Sequence, residues 1–240
     1  MNLELCDKCW LPIEGESRKV KKRGDPVYLH PECWQDVLAE RERSKAETAE
    51  LRMRRIDVGL IGVPEVPWTK ASELHGRVHP VLYRFARYHD PREHGSALLL
   101  GPSGAGKTTA AAILVRRLAR LALEATVGAD SHWMARVKWI EAHSLVRARQ
   151  EWPLGKGEPQ VVERCKEASL LILDEVGFEP SNEILWDVVN ARYKARLPTI
   201  ATSGNGSTAA EFATRYGDAF VRRLSGRDVG EVIDAHEVKQ

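Results

Sequence analysis

The chain has 240 residues, with 36 Lys and Arg against 34 Asp and Glu and a formal net charge of +2 at pH 7. This length allows one or two domains with a buried core, and the mild basicity neither requires nor excludes a nucleic-acid partner. The sequence contains no apolar run of transmembrane length and no signal-peptide pattern at its first residues. We therefore expect a cytoplasmic protein without a membrane partner.

Potential metal ligands form two close pairs near the N-terminus, namely Cys6 and Cys9, then His30 and Cys33. Three thiolates and one imidazole suit a closed tetrahedral Zn²⁺ site of the structural kind. Residues 25–29 resemble the approach to the second ligand pair in one zinc module of a LIM domain, of which this chain has half at most. We predict a zinc-binding module over residues 1–35, with unpaired thiols or a disulfide as the alternatives. So short a domain usually needs a metal to fold.

Residues 36–58 are dense in Glu, Arg, Lys and Ala, which is typical of an exposed, charged helical connector. Glycines and prolines then interrupt the helical pattern from Gly59 onward, so we expect the main domain to occupy residues 59–240. Its first element is a helix over residues 78–89, where apolar side chains recur on one face.

A glycine-rich loop follows a short apolar run at residues 97–100 and precedes an Ala- and Leu-rich helical pattern over residues 109–121. Its residues are Gly101, Pro102, Ser103, Gly104, Ala105, Gly106, Lys107 and Thr108. The spacing and both flanks match a phosphate-binding loop rather than a plain glycine turn, the alternative interpretation. Lys107 is predicted to reach the β and γ phosphates of ATP, Thr108 to hold Mg²⁺, and Thr109 to complete the nucleotide-binding set.

A second apolar run, residues 170–173, ends in Asp174 and Glu175. Such a run predicts a buried parallel strand, and carboxylates at its C-terminal end lie where open α/β sheets bind ligands. We expect Asp174 to bind Mg²⁺ and Glu175 to polarise the water that attacks the γ-phosphate. Together with the glycine-rich loop, this pair predicts an ATPase.

The remaining elements alternate between helix and strand. We predict strands at 137–142, 197–202 and 229–233. A helix capped by Ser144 follows the first of these strands, and a helix at 161–168 contains Cys165 as a core thiol. Further helices are predicted from Asn182 to Arg196, from the capping box of Thr208 and Glu211 to Tyr216, and at 218–224. This alternation predicts an α/β P-loop fold whose mostly parallel sheet has helices on both faces.

Residues 56–226 resemble the DnaC/IstB-like branch of the AAA+ ATPases, which are helicase loaders and transposition helpers. Five blocks carry the resemblance: residues 59–64, 101–108, 171–177, 202–205 and 218–224. In that family the first block lies near the adenine. The resemblance implies a homo-oligomer in which an arginine finger reaches the neighbour's γ-phosphate.

Two departures from the family pattern affect the site assignment. Arg222 stands where the family commonly has Asp, so Arg223 is the favoured finger and Arg222 a second candidate. An extra Gly204 leaves Ser203 and Asn205 as candidates for the polar sensor, and Asn205 is favoured. The implied catalytic set is Glu175, Lys107, Asn205 and Arg223.

The resemblance implies a helicase loader for DNA replication, encoded by a phage or another mobile element, with a replicative helicase and single-stranded DNA as partners. A transposition helper on duplex DNA and a nucleotide-held scaffold are the alternatives.

Aromatic residues alternate with cations between Trp133 and Trp152, as in surfaces that bind single strands, although buried tryptophans beside solvated charges would give the same pattern. The cations are Arg136, Lys138, Arg147 and Arg149, and a second basic cluster covers residues 18–23.

Overall fold

The structure is a computed structural model. It describes residues 18–22, 25–29, 35, 38–39, 49–65, 78–124, 129–153, 155–181, 183–204, 208–225 and 231–236. The chain divides into two compact units, Met1–Arg52 and Met53–Gln240.

The first unit contains an antiparallel pair of strands, β1 (Arg18–Lys22) and β2 (Asp25–Leu29). Their register joins Arg18 to Leu29 and Lys22 to Asp25. Most of the predicted basic cluster therefore lies in a strand. The predicted zinc ligands Cys6, Cys9, His30 and Cys33 lie outside the described residues, so the zinc-binding module stays a prediction. The division into segments 1–35, 36–58 and 59–240 also stays a prediction. Within the described residues, no group of three or more His, Cys, Asp or Glu side chains could hold a metal ion.

The second unit is built on a five-stranded parallel sheet. Its strands are β3 (Ala97–Leu100), β4 (Val137–Glu141), β5 (Leu170–Val176), β6 (Thr199–Ser203) and β7 (Glu231–Asp234). Their order across the sheet is β4-β5-β6-β3-β7, and every neighbouring pair is parallel. Strand β6 thus separates the strand that precedes the glycine-rich loop from the strand that contains Asp174.

Helices connect the strands, and residues 53–59 are also helical. The helices are α1 (Pro80–Tyr88), α2 (Pro91–His94), α3 (Lys107–Glu124), α4 (Ala129–Met134), α5 (Ala142–Gln150), α6 (Gln160–Glu167), α7 (Glu183–Lys194), α8 (Ala209–Tyr216) and α9 (Asp218–Leu224). No helix in the described part of the chain is long and apolar enough to cross a membrane.

Two apolar layers cover the two faces of the sheet, because successive strand side chains point to opposite sides. Leu99 and Ile172 pack in one layer with apolar side chains of α1 and α3. Leu98 and Leu173 pack in the other layer with side chains of α5 to α9. The predicted α/β P-loop fold with helices on both faces is therefore confirmed.

Several local predictions are confirmed and one is wrong. The strand at 97–100, the helix at 218–224 and the capping box of Thr208 and Glu211 are all present as predicted. Ser144 does not cap a helix, because α5 begins two residues earlier with Glu141 at its N-cap position. Asn182 lies outside the described residues. The helices α2 and α4 were missed because they have four and six residues, too few to produce a helical period.

Candidate nucleotide-binding site

The glycine-rich loop connects β3 to α3 with backbone angles that favour glycine. Gly101 has φ +141° and Gly106 has φ +90°, both in the left-handed region. A Cβ atom on Gly101 would lie 2.7 Å from the Cβ of Ala235, just after β7. The N–H of His79 donates to the carbonyl of Ala105 at 2.9 Å. The end of β7 and the start of α1 therefore border the loop, although the sequence did not identify either segment as part of the site.

Lys107 begins α3 with its amine turned back into the loop. Its Nζ donates to the carbonyl oxygens of Gly101 at 2.7 Å and Pro102 at 2.9 Å. The residue is 8% exposed, and burial lowers the pKa of its amine, which the charge of Asp174 opposes. Carbonyl oxygens are weaker partners for an ammonium than phosphate oxygens, so this amine can exchange them for a bound polyphosphate.

Thr108 and Asp174 meet across the sheet edge. The hydroxyl of Thr108 donates to Asp174 Oδ1 at 2.9 Å, and the hydroxyl of Thr202 on β6 donates to the same oxygen. Burial raises the pKa of Asp174, and these two hydrogen bonds oppose the rise. A hydroxyl and a carboxylate at hydrogen-bond distance are the oxygen ligands that Mg²⁺ uses beside phosphates. The residues present therefore fit Mg²⁺-ATP.

Glu175 follows Asp174 with an unusual backbone conformation. Its φ is +57°, in the left-handed region that non-glycine residues rarely adopt, and its side chain is exposed. The register of β5 against β6 shifts between Leu173 and Val176 at this point. A distortion of this kind re-aims a side chain next to a site, and here it accompanies a carboxylate that lines the cavity described next.

A cavity of about 280 Å³ lies between the loop and the ends of β5 and β6. Its lining residues are Ser103, Gly104, Gly106, Lys107, Thr108, Thr109, Glu175, Ser203 and Gly204. Most of the predicted nucleotide-binding residues are thus brought together, with Asp174 bonded directly beneath Thr108.

The sensor candidates differ in what can be said of them. Ser203 is 1% exposed, and its Oγ has no hydrogen-bond partner among the described residues. Asn205 lies outside the described residues. A Cβ atom on Gly204 would approach the Phe178 ring to 2.5 Å, which gives a physical reason for the extra glycine. Ser203 is therefore the candidate whose hydroxyl is available at the cavity.

The two finger candidates lie side by side in α9 with different surroundings. Arg223 donates to Asn190 Oδ1 at 3.0 Å, and its guanidinium lies 4.7 Å from the centre of the Trp186 ring. Arg222 is exposed, and its side chain has no ion pair or hydrogen bond with any residue that the structure describes. A finger must be free to reach a neighbouring chain, and Arg222 meets that requirement without breaking contacts.

The segment 59–64 lies beside α4 and the middle of α3. The backbone of Gly59 approaches Met134 so closely that a Cβ would lie 1.9 Å from the Met134 carbonyl oxygen. Arg116 of α3 donates to the carbonyl of Pro64 at 2.9 Å. The proximity of this segment to adenine, implied by the resemblance, stays a prediction.

The predicted single-strand surface has few free cations. Arg147 pairs with Glu151 at 2.7 Å, and Arg149 lies 3.3 Å from Glu158. Arg136 donates to the carbonyl of Glu167. Trp133 and Trp139 pack against the core, whereas Trp152 is 37% exposed. Lys138 is half-buried in β4. Contact with DNA at this surface stays a prediction.

The similarities found between this chain and known proteins are to solved structures, and they concern the fold. No protein-family model and no curated protein sequence matches the chain. A crystal structure of the DnaC helicase loader is 17% identical with a TM-score of 0.44, covering 71% of this chain and 92% of that chain. A structure of DnaI is 17% identical with a TM-score of 0.45, covering 71% and 85%. A primosome component from Streptococcus pyogenes serotype M3 is 19% identical with a TM-score of 0.44, covering 69% and 80%.

The fold is that of an α/β P-loop domain. The sheet order and the glycine-rich loop between β3 and α3 define this fold within the chain itself.

Proposed function

We propose that the chain is an ATP-dependent helicase loader for DNA replication that binds and hydrolyses ATP in a homo-oligomer. A replicative helicase and single-stranded DNA are its proposed partners. The observation that carries the ATPase proposal is the convergence of Lys107, Thr108, Asp174 and Glu175 on one edge of the sheet. The loader proposal is supported by the five sequence blocks that resemble DnaC/IstB-like ATPases.

Each residue has a chemical task in this proposal. Bound ATP supplies the phosphoanhydride bond, and Mg²⁺ neutralises charge at the β and γ phosphates. Lys107 and the backbone N–H groups of the loop hold the phosphates at the N-terminus of α3. Thr108 and Asp174 hold the metal ion. Glu175 accepts a hydrogen bond from the attacking water, and its exposed carboxylate at the cavity is suited to that task.

The homo-oligomer is supported by the free guanidinium in α9. Arg222 and Arg223 are both candidates for the residue that stabilises charge at a neighbour's γ-phosphate. The contacts of Arg223 with Asn190 and Trp186 favour a structural role for it, whereas Arg222 is exposed. Mixing Arg222→Ala with Lys107→Ala tests for a contact in trans. Each variant alone is expected to be inactive. Mixed oligomers are expected to regain part of the ATPase rate, because some sites then combine the intact Lys107 of one chain with the intact Arg222 of its neighbour.

The test of the proposal is the steady-state ATPase rate of the chain alone, with single-stranded DNA and with duplex DNA. Glu175→Gln is the blank, because it keeps the size of the side chain but removes the charge that orients water. We expect hydrolysis by the wild type that single strands stimulate, and a loss of at least about 100-fold in Glu175→Gln. Glu167→Gln is the matched control, since Glu167 is an exposed carboxylate at the end of α6.

Other outcomes select the alternatives. Stimulation by duplex DNA alone would favour a transposition helper. Nucleotide binding without hydrolysis would leave a nucleotide-held scaffold. If Glu175→Gln still loads the helicase, the result would contradict a role for ATP hydrolysis in loading.

The zinc-binding module is part of the proposal and has a separate test. Purified chain is expected to contain about one equivalent of Zn²⁺, and Cys33→Ser is expected to lower that content. Cys165→Ser is the control, because this thiol is free and buried.

A further inference from the structure

The hydroxyl of Thr202 occupies the point where β5 and β6 fall out of register. Leu173 pairs with Ala201 and Val176 pairs with Ser203, so two residues of β5 face one residue of β6. The two residues are Asp174 and Glu175, and the one is Thr202. A bulge leaves a backbone group without its ladder partner. Here Thr202 Oγ1 accepts the hydrogen bond of the Glu175 N–H at 3.0 Å.

The same hydroxyl also donates to Asp174. Its proton is directed to Oδ1, the oxygen that Thr108 contacts at 2.9 Å. One hydroxyl can accept one bond and donate another at the same time, and the pair of bonds fixes its orientation. Thr202 is 1% exposed and Asp174 is 4% exposed, so water does not replace these bonds readily.

We infer that Thr202 is a positioning residue for hydrolysis, which holds the metal-binding carboxylate of Asp174 and the backbone of Glu175 in one geometry. This inference rests on the proposed ATPase function. Thr202 is not among the residues that line the cavity, and it acts through its two neighbours on β5. Glu175 keeps a left-handed φ of +57° because both the register shift and the Thr202 bond hold it there.

Two further backbone bonds hold the same turn. The N–H of Gly204 donates to the carbonyl of Val176 at 2.8 Å, and the N–H of Gly177 donates to Glu179 Oε2 at 2.8 Å. Neither bond touches Asp174 or Glu175 itself. Among the described residues, Thr202 is therefore the one side chain that forms hydrogen bonds with both Asp174 and Glu175.

The test compares Thr202→Val with Thr202→Ser. Valine keeps the shape of the side chain and removes both hydrogen bonds, whereas serine keeps the hydroxyl. We expect kcat to fall by about 10- to 100-fold in Thr202→Val, and KM for Mg²⁺-ATP to rise because the metal ion no longer tightens binding. Thr202→Ser is expected to retain kcat within about threefold, which would separate the hydroxyl from the methyl group.

A second measurement does not depend on activity. A fluorescent, non-hydrolysable ATP analogue is titrated with Mg²⁺ and in excess chelator. In the wild type, Mg²⁺ is expected to tighten binding, and in Thr202→Val most of that tightening is expected to be lost. Binding in chelator should be the same in both proteins, because Lys107 and the loop are unchanged.

Thr199→Val is the matched control, because Thr199 is a buried threonine of the same strand whose hydroxyl bonds Arg192 instead. It should lower the midpoint of urea unfolding and leave kcat and the Mg²⁺ effect unchanged. The inference is overturned if Thr202→Val keeps wild-type kcat and Mg²⁺ effect, or if Thr202→Ser is as impaired as Thr202→Val. If the wild-type protein binds the ATP analogue with Mg²⁺ but does not hydrolyse ATP, only the ATPase proposal is refuted. The effect of Mg²⁺ on analogue binding would still test the role of Thr202.

Discussion

The two ends of the same sheet each contain a buried cation, and the two cations are held very differently. At the carboxyl end, Lys107 donates to two carbonyls of its own loop beside an open cavity. At the amino end, Arg192 is fully buried and donates to Thr199 and to the carbonyls of Cys165, Ala168 and Pro198. Neither cation forms an ion pair with a carboxylate among the described residues. Polar groups are thus satisfied internally at one end and left available at the other.

The difference teaches how to separate a binding site from a structural polar cluster. Burial lowers the pKa of both cations, and the value for Arg192, about 9, leaves the guanidinium charged at neutral pH. A perturbed pKa therefore does not distinguish the two ends. The two ends differ in how many polar groups remain free to form hydrogen bonds with a ligand. The carboxyl end has an unpartnered Ser203 hydroxyl and a strained Glu175, whereas Arg192 fastens the end of α6 to the start of β6.

Replacing Arg192 by Met should have the largest effect on stability. The carbonyls that the guanidinium binds would remain buried without donors, so we expect the free energy of unfolding to fall by about 3–5 kcal/mol. The ATPase rate per folded molecule should stay unchanged. Urea unfolding measures the loss, and Arg164→Met on the exposed side of α6 is the control. A loss below about 1 kcal/mol would contradict the structural role.

Replacing Lys107 by Ala should have the opposite pattern. Affinity for ATP is expected to fall at least about 100-fold, because the amine that would contact the phosphates is gone. The free energy of unfolding should stay equal or rise, since a buried charge with only carbonyl partners is removed. Titration with a fluorescent ATP analogue measures the affinity, and the exposed Lys194→Ala serves as control. Unchanged affinity would refute the nucleotide site.

Alkylation of Cys165 provides a local probe of the amino end. Burial raises the pKa of this thiol to about 11, so the folded protein should react slowly at pH 8. The Cys165 carbonyl bonds Arg192, and Arg192→Met should therefore increase the alkylation rate by at least about tenfold. Peptide mapping by mass spectrometry resolves this cysteine from the others. Lys107→Ala should leave the rate unchanged, and equal increases in both variants would erase the contrast between the two ends.

Ser203 and Thr199 lie at opposite ends of β6, and their replacement should change stability and kcat by smaller amounts. Ser203→Ala should leave the free energy of unfolding within about 0.5 kcal/mol, because its Oγ has no hydrogen-bond partner among the described residues. It should lower kcat several-fold if the hydroxyl contacts the bound nucleotide. Thr199→Ala should instead lower stability by about 1–2 kcal/mol without changing kcat. Paired unfolding and ATPase measurements test both, and a loss of kcat in Thr199→Ala would count against the distinction.

The sequence predicts the glycine-rich loop and Asp174 because both are encoded locally. Glycine spacing fixes the loop conformation, and an apolar run ending in a carboxylate marks the end of a buried strand. Cys165 is likewise buried and free, as its helical position predicts. Arg192 could have been found, since it follows Val188 by four residues on the apolar face of α7.

Thr202 and the surroundings of the two finger candidates could not be predicted in this way. Thr202 reaches Asp174 only because β6 lies beside β5, and strand order is a tertiary property. The same holds for the contact between Arg223 and Trp186, which depends on how α7 and α9 pack. Side chains from separate elements meet through packing rather than through a local pattern.

Hydrogen–deuterium exchange with and without Mg²⁺ and a non-hydrolysable ATP analogue tests the central claim most directly. We expect slower exchange in residues 101–108 and 174–177 when the analogue is bound. Exchange in residues 165–171, at the end held by Arg192, should stay the same. Unchanged exchange in residues 101–108 at saturating analogue, or equal protection at both ends of the sheet, would contradict the assignment of the nucleotide site.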